Sequence, residues 1–204
     1  KIIDLYGEKG TDEKLFAFEV TMQNHGGYSK DTDDFRESVY LTDELNQGTQ
    51  VRAAEKYLTL IQKSDEAFKE LVEYFEKQKE PTIILMFGDH QPSDYITNVI
   101  LRELDLDRDE SQDVYFDNYI VPYIMWSNYD MDTTQVENIS LNYLSGLLME
   151  KAGIGLTGYQ QFLKDMQAEL PVITANMVME ADGDREPEKD IQSEWIENYN
   201  KLVY

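Results

Sequence analysis

The stretch TIILMFGDHQPSD, residues 82–94, decides how this chain is read. Six mostly apolar residues make a buried strand. They run straight into Gly88 and then an Asp89-His90 pair. Burying that carboxylate and imidazole would cost free energy unless a partner satisfied them. Gly88 lets the backbone turn tightly as it leaves the strand. The chain has 2 histidines, and the other, His25, also follows an apolar run, in FAFEVTMQNHGGYS.

Upstream, KLFAFEVTM (14–22) is rich in aromatic and β-branched residues and reads as a buried strand, followed by a polar loop with a Gly pair. From about Val51 to Lys79, Ala54, Tyr57, Leu58, Ile61, Ala67, Phe68, Leu71, Val72 and Phe75 recur at helical spacing. Ser64-Asp65 marks a break or a change of face within that helix, and Pro81 ends it. Strand, helix, strand is the pattern of a right-handed parallel crossover. Ligands bind at the carboxyl ends of parallel strands. If 15–21 and 82–87 are parallel neighbours, His25, Asp89 and His90 emerge on one rim.

Downstream the spacing gives a short helix near Ile96–Leu104 and then an acidic loop. A strand at 118–128 follows, with Pro122 favouring an edge or bulged strand. Helices are expected at about 138–151 and 158–168, late strands in PVITANMVME, a turn at ADGD, and an amphipathic helix at the end. No repeat or linker interrupts this order, and one α/β domain is the economical reading.

Composition narrows the function. The 204 residues suffice for one sizeable core, and 41% hydrophobic and 12% aromatic residues describe a globular chain. With no cysteine, disulfides, thiolate metal sites and thiol catalysis are excluded. No run approaches the ~20 apolar residues that span a bilayer. The net charge of -23 opposes electrostatic capture of nucleic acid or anionic lipid.

Asp plus His is an O/N donor set suited to Mn, Mg or Zn. Two protein ligands are too few for a closed site, so the pair is part of one. The Asp105, Asp107, Asp109 run has calcium-loop spacing but places Glu110 where the turn needs Gly and Phe116 where a bidentate Glu belongs. DGDREPEKD fails similarly, with Pro187 in the turn position. No phosphate-cradling glycine motif is present, and two histidines with better uses leave no compelling Ser-His-Asp arrangement.

FEVTMQNHGGY, followed by YLTLIQKSDEAFKELVEYFEKQKEPTIILMFGDHQPS, resembles the extracellular catalytic domain of lipoteichoic acid synthase-like phosphoglycerol transferases, of the sulfatase and alkaline phosphatase superfamily. The likeness continues through VPYIMWSNYD and SLNYLSGLLMEKAGIGLTGYQQFLKDMQAELPVIT. It implies an α/β fold with a mixed, mostly parallel sheet flanked by helices. Residues 1–204 would be the C-terminal part of that domain. Asp89 and His90 match the family's metal ligands, with Mn2+ or Mg2+ as cofactor, and His25 matches the histidine that contacts the phosphoglycerol group. Gly27 departs from the Pro that many members carry there.

The family's Thr nucleophile and an acidic metal ligand have no match here, so no catalytic nucleophile is expected in this chain, and by itself it is expected to be inactive. The resemblance further implies a bacterial cell-membrane enzyme on the extracellular face, tethered by N-terminal membrane helices that these residues lack. It would move glycerol phosphate from phosphatidylglycerol, an anionic phospholipid, to a glycolipid or polyol-phosphate acceptor. Sulfatase, phosphatase and phosphoethanolamine transferase activities share the site, and a non-catalytic envelope binding module is the rival from another class. An exposed sheet edge would favour self-association.

Overall fold

The computed structural model describes residues 1–28, 35–42, 48–106, 118–134, 138–187 and 193–203. The expected acidic loop falls largely on 107–117, so Asp107 and Asp109 lie outside the described residues. Two compact units divide the chain: Lys1–Thr82 with Asp89–Asp109, and Ile83–Gly88 with Glu110–Tyr204.

The first unit is built on α2 (Thr49–Phe75), preceded by α1 (Ile2–Glu8) and followed by α3 (Asp94–Glu103). Of the break or change of face expected at Ser64-Asp65, the break is absent: α2 runs through it. Its buried Ala53 and Ala54 are small enough for α3 to approach closely, and Ile96 and Val99 of α3 complete that core. Tyr28, Leu41, Val51, Tyr57 and Ile100 pack around it. Asp94 in the first turn of α3 and Arg102 in the last complement the helix dipole. Helix α1 was not legible in the sequence; Tyr6 meets Phe75 edge-on at 5.1 Å.

Irregular residues 38–42 lie along α2 and satisfy their backbone donors with side chains. Thr59 Oγ1, fully buried, accepts from Ser38 N and Val39 N at 3.1 and 3.2 Å. Glu55 accepts from Leu41 N, and Glu103 from Thr42 N. Each bond satisfies a backbone donor that this irregular segment leaves without a ladder partner.

In the second unit β1 (Ile83–Phe87) pairs with β2 (Tyr123–Ser127), antiparallel, with Ile83 opposite Ser127 and Phe87 opposite Tyr123. Pro122 stands just before β2, where its missing N–H breaks no ladder, and its carbonyl accepts from Gly88 N at 3.1 Å. A 3-10 turn (Leu141–Tyr143) leads into α4 (Leu144–Lys151). Helix α5 (Gly158–Glu169) starts at a capping box formed by Thr157 and Gln160. Three short antiparallel strands follow, β3 (Val172–Ile173), β4 (Met177–Met179) and β5 (Arg185–Pro187), and then α6 (Glu194–Val203). Met166, Leu170, Val178 and Ile196 form the core here, and Tyr143 donates its buried hydroxyl to Leu170 O at 2.8 Å.

The α/β class holds, but two expectations need correction. Residues 14–22 join no strand ladder among the described residues. Phe16, Phe18, Val20 and Met22 are 82%, 70%, 67% and 64% exposed. The aromatic and β-branched content that signalled a buried strand is present, but a strand also needs a neighbour to bond its backbone. The expected parallel crossover to residues 82–87 is therefore absent, and every strand pair among the described residues is antiparallel. Among those residues no helix is long and apolar enough to cross a membrane.

Candidate functional site

Asp89 and His90 follow β1 in a turn and are strongly exposed, their side chains at 83% and 73%. Asp89 Oδ1 accepts from His90 N at 2.9 Å, which folds the carboxylate back over its own turn. That leaves Oδ2 at 3.6 Å from His90 Nε2. The other ring nitrogen, Nδ1, is 2.8 Å from Gln91 O. A carbonyl only accepts, so in the neutral ring Nδ1 carries the proton and Nε2 holds the lone pair.

Two donors each bonded to one cation at roughly 2.0–2.2 Å stand about 3.0–3.6 Å apart. The Asp89-His90 pair fits the wide end of that span. Its backbone-anchored Nδ1 is the arrangement by which ligating histidines are commonly oriented. Among the described residues no group of three or more His, Cys, Asp or Glu side chains is placed to hold a metal ion. The pair by itself offers two donors.

His25 is exposed, its backbone N bonded to Met22 O at 3.2 Å in a turn. Among the described residues no hydrogen bond or ion pair joins it to Asp89 or His90. The parallel-strand argument that would bring all three to one rim fails with the crossover, although all three belong to the first unit.

Sequence reasoning missed the residues that hold the His25 loop. Asn24 Nδ2 donates to Ser64 Oγ at 2.9 Å, and Ser64 Oγ donates back to Asn24 Oδ1 at 3.3 Å. Gln23 Nε2 donates to Leu60 O at 3.3 Å. The Tyr28 hydroxyl donates to Asn24 O, and its ring meets Tyr57 edge-on at 5.7 Å. Burial raises the pKa of both tyrosines, with each remaining a neutral hydroxyl at ordinary pH. Gly27 has φ +105°, a left-handed conformation that glycine takes without strain. One signal for the anchor was available: Ser64 is a small polar residue seven places after Tyr57, on the same helix face.

The second unit has its own cleft of about 460 Å³, with Val121, Met125, Leu147, Asp132 and Lys151 in its lining. Lys151 Nζ bonds Asp132 Oδ2 at 2.7 Å and Asp132 O at 2.8 Å. None of the sequence-predicted site residues lines it.

A sequence profile described as Sulfatase matches residues 1–154. A Rhizobium meliloti protein named for cyclic beta-1,2-glucan modification is 24% identical over 189 residues, covering 91% of this chain and 28% of its own length. An uncharacterized Haemophilus influenzae protein is 26% identical over 200 residues, covering 96% of this chain and 31% of its own. The chain thus spans under a third of the curated relatives it matches. The solved structure of the Streptococcus pyogenes phosphoglycerol transferase GacH in complex with sn-glycerol-1-phosphate shares the fold at a TM-score of 0.58. Identity is 17%, covering 85% of this chain and 42% of that one.

Proposed function

Because the chain belongs to the sulfatase family, we propose that Asp89 and His90 supply two ligands of a divalent cation in a phosphoglycerol transferase of the bacterial cell envelope. The observation that carries this reading is the 3.6 Å separation of Asp89 Oδ2 and His90 Nε2, with Nδ1 committed to Gln91 O. The fold shared with GacH, solved with sn-glycerol-1-phosphate, supports phosphoglycerol as the group handled.

Mn2+ or Mg2+ held by the pair offsets charge on phosphoryl oxygens and lowers the pKa of a bound hydroxyl. Asp89 is oriented for that work by its bond to His90 N, and His90 by Gln91 O. His25 donates a hydrogen bond to a phosphoryl or glycerol oxygen. The nucleophile is a threonine that no residue of this chain matches. Its oxygen attacks phosphorus, diacylglycerol leaves with the proton, and an acceptor hydroxyl then takes the phosphoglycerol group and frees the threonine. The Rhizobium meliloti relative's name supports a glycan hydroxyl as acceptor. By itself the chain is expected to turn over no phosphatidylglycerol.

With 2 histidines, the imidazole NMR spectrum reads the site residue by residue. In Mg2+, sn-glycerol 1-phosphate is expected to shift both His25 and His90, and inorganic sulfate to leave them in place. Equal shifts with sulfate, or none with either, would contradict a phosphoglycerol site.

A further inference from the structure

We propose that Ser64 is a positioning residue for His25, acting through Asn24, and that the face of α2 formed by Tyr57, Leu60 and Ser64 is a rigid bed for the His25 loop. The inference rests on the phosphoglycerol reading for what His25 touches. The holding of His25 stands on the contacts alone.

Residues 57, 60 and 64 recur at three and four places, so they line one stripe of the helix, about 10 Å long. Together they meet three residues of the loop, with Gln23 Nε2 also reaching Ser64 Oγ at 3.5 Å. Gln23 bonds the Leu60 carbonyl, Asn24 pairs reciprocally with Ser64, and Tyr28 stacks edge-on against Tyr57. The burial pattern agrees, since Asn24 and Tyr28 are partly buried while His25, Gly26 and Gly27 between them are exposed.

Two glycines would leave this loop floppy if it were tethered only through the chain. Anchors on both sides of His25 shorten the free segment to three residues, and the Tyr28 hydroxyl on Asn24 O closes it internally. Ser64 is the one anchor whose side chain both accepts from and donates to the loop. A serine in mid-helix gains nothing for the helix itself, because its hydroxyl competes for backbone partners. Here it serves the loop instead. An imidazole pre-set in place binds a phosphoryl oxygen without meeting the ordering cost at that moment.

The test compares the wild-type chain with Ser64→Ala and Ser64→Thr by backbone and imidazole NMR, without ligand and then with sn-glycerol 1-phosphate and Mg2+. Alanine raises helix propensity, so Ser64→Ala keeps α2 folded. In Ser64→Ala the order parameter of the His25 amide is expected to fall from about 0.85 to below about 0.6. The His25 ring signals should move while those of His90 stay fixed, and Ser64→Thr should retain wild-type order. Binding of glycerol phosphate should weaken about two- to tenfold in Ser64→Ala, with Mg2+ affinity unchanged. Unchanged His25 order in Ser64→Ala, loss of order throughout the chain, or equal loss in Ser64→Thr would each overturn the proposal. If the wild type binds no glycerol phosphate, the phosphoglycerol reading fails, while the ligand-free order of His25 still decides the positioning role.

Discussion

His90 Nδ1 lies 2.8 Å from Gln91 O, and this contact fixes which nitrogen of the ring faces outward. The carbonyl takes the Nδ1 proton, so Nε2 presents its lone pair beside Asp89 Oδ2. The prediction is that neutral His90 is the Nδ1–H tautomer before any metal is added. Long-range proton–nitrogen NMR checks it directly. Equal populations of the two tautomers would show that the turn does not orient the ring.

Asp132 tests electrostatics in the second unit. Its hydrogen bonds from Lys151 and then Thr134 hold its carboxyl well below the usual carboxylate range. A folded-state pKa below the unfolded value adds stability that is present above the unfolded pKa and lost as pH falls through the folded one. Asp132→Asn should therefore melt lower than wild type by a constant margin above about pH 5, and the margin should shrink below about pH 4. A margin that grows on acidification would refute the pairing. Lys151 is only 14% exposed, so the neutral replacement also leaves a mostly covered ammonium short of a counter-charge.

Packing and capping predict graded losses of stability. Ile96 and Met166 are fully enclosed, at 1% and 0% exposure. Either residue changed to Ala should cost about 2–5 kcal/mol. Thr157→Ala removes one half of the capping box on α5 and should cost about 1 kcal/mol. Denaturant melts measure all three, and a Thr157→Ala loss as large as that of Met166→Ala would mean the cap does more than satisfy a helix end.

The exposed alternation at Phe16, Phe18, Val20 and Met22 predicts association with a second copy of the chain. An antiparallel pairing centred on Phe18 sets Phe16 opposite Val20 and keeps the two Glu19 side chains apart. Apparent mass by light scattering should rise with concentration and should fall back in Phe16→Lys/Phe18→Lys. A monomer at all concentrations would contradict this.

What the sequence made legible follows from local physics. Apolar spacing placed α2, and Pro122 marked the start of β2 as an edge position. The Asp89-His90 pair stood out because it follows TIILMF directly, but β1 is only half-buried and both side chains are exposed, so the burial cost that drew attention to them is not incurred. What stayed hidden was pairing. Aromatic and β-branched content in 14–22 favours a strand, but it does not say which strand, if any, lies alongside, so the parallel crossover was wrong. A polar Ser64 on an apolar stripe suggests a break or a change of face, and α2 runs through it unbroken. The partner of Ser64, Asn24, lies 40 residues away, and nothing local announces such a bond. Helix α1 is short and held largely by tertiary contacts such as Tyr6 on Phe75, which periodicity over seven residues does not reveal.

The central claim is that Asp89 and His90 hold a divalent cation. The direct measurement is a Mn2+ titration followed by electron paramagnetic resonance at physiological ionic strength, where diffuse attraction is screened over about 8 Å. The wild-type chain is compared with Asp89→Ala, His90→Ala and Asp65→Ala, the last an exposed carboxylate on α2. The account predicts one site weakened at least about tenfold in both Asp89→Ala and His90→Ala and unchanged in Asp65→Ala. Wild-type affinity retained in Asp89→Ala and His90→Ala would contradict it.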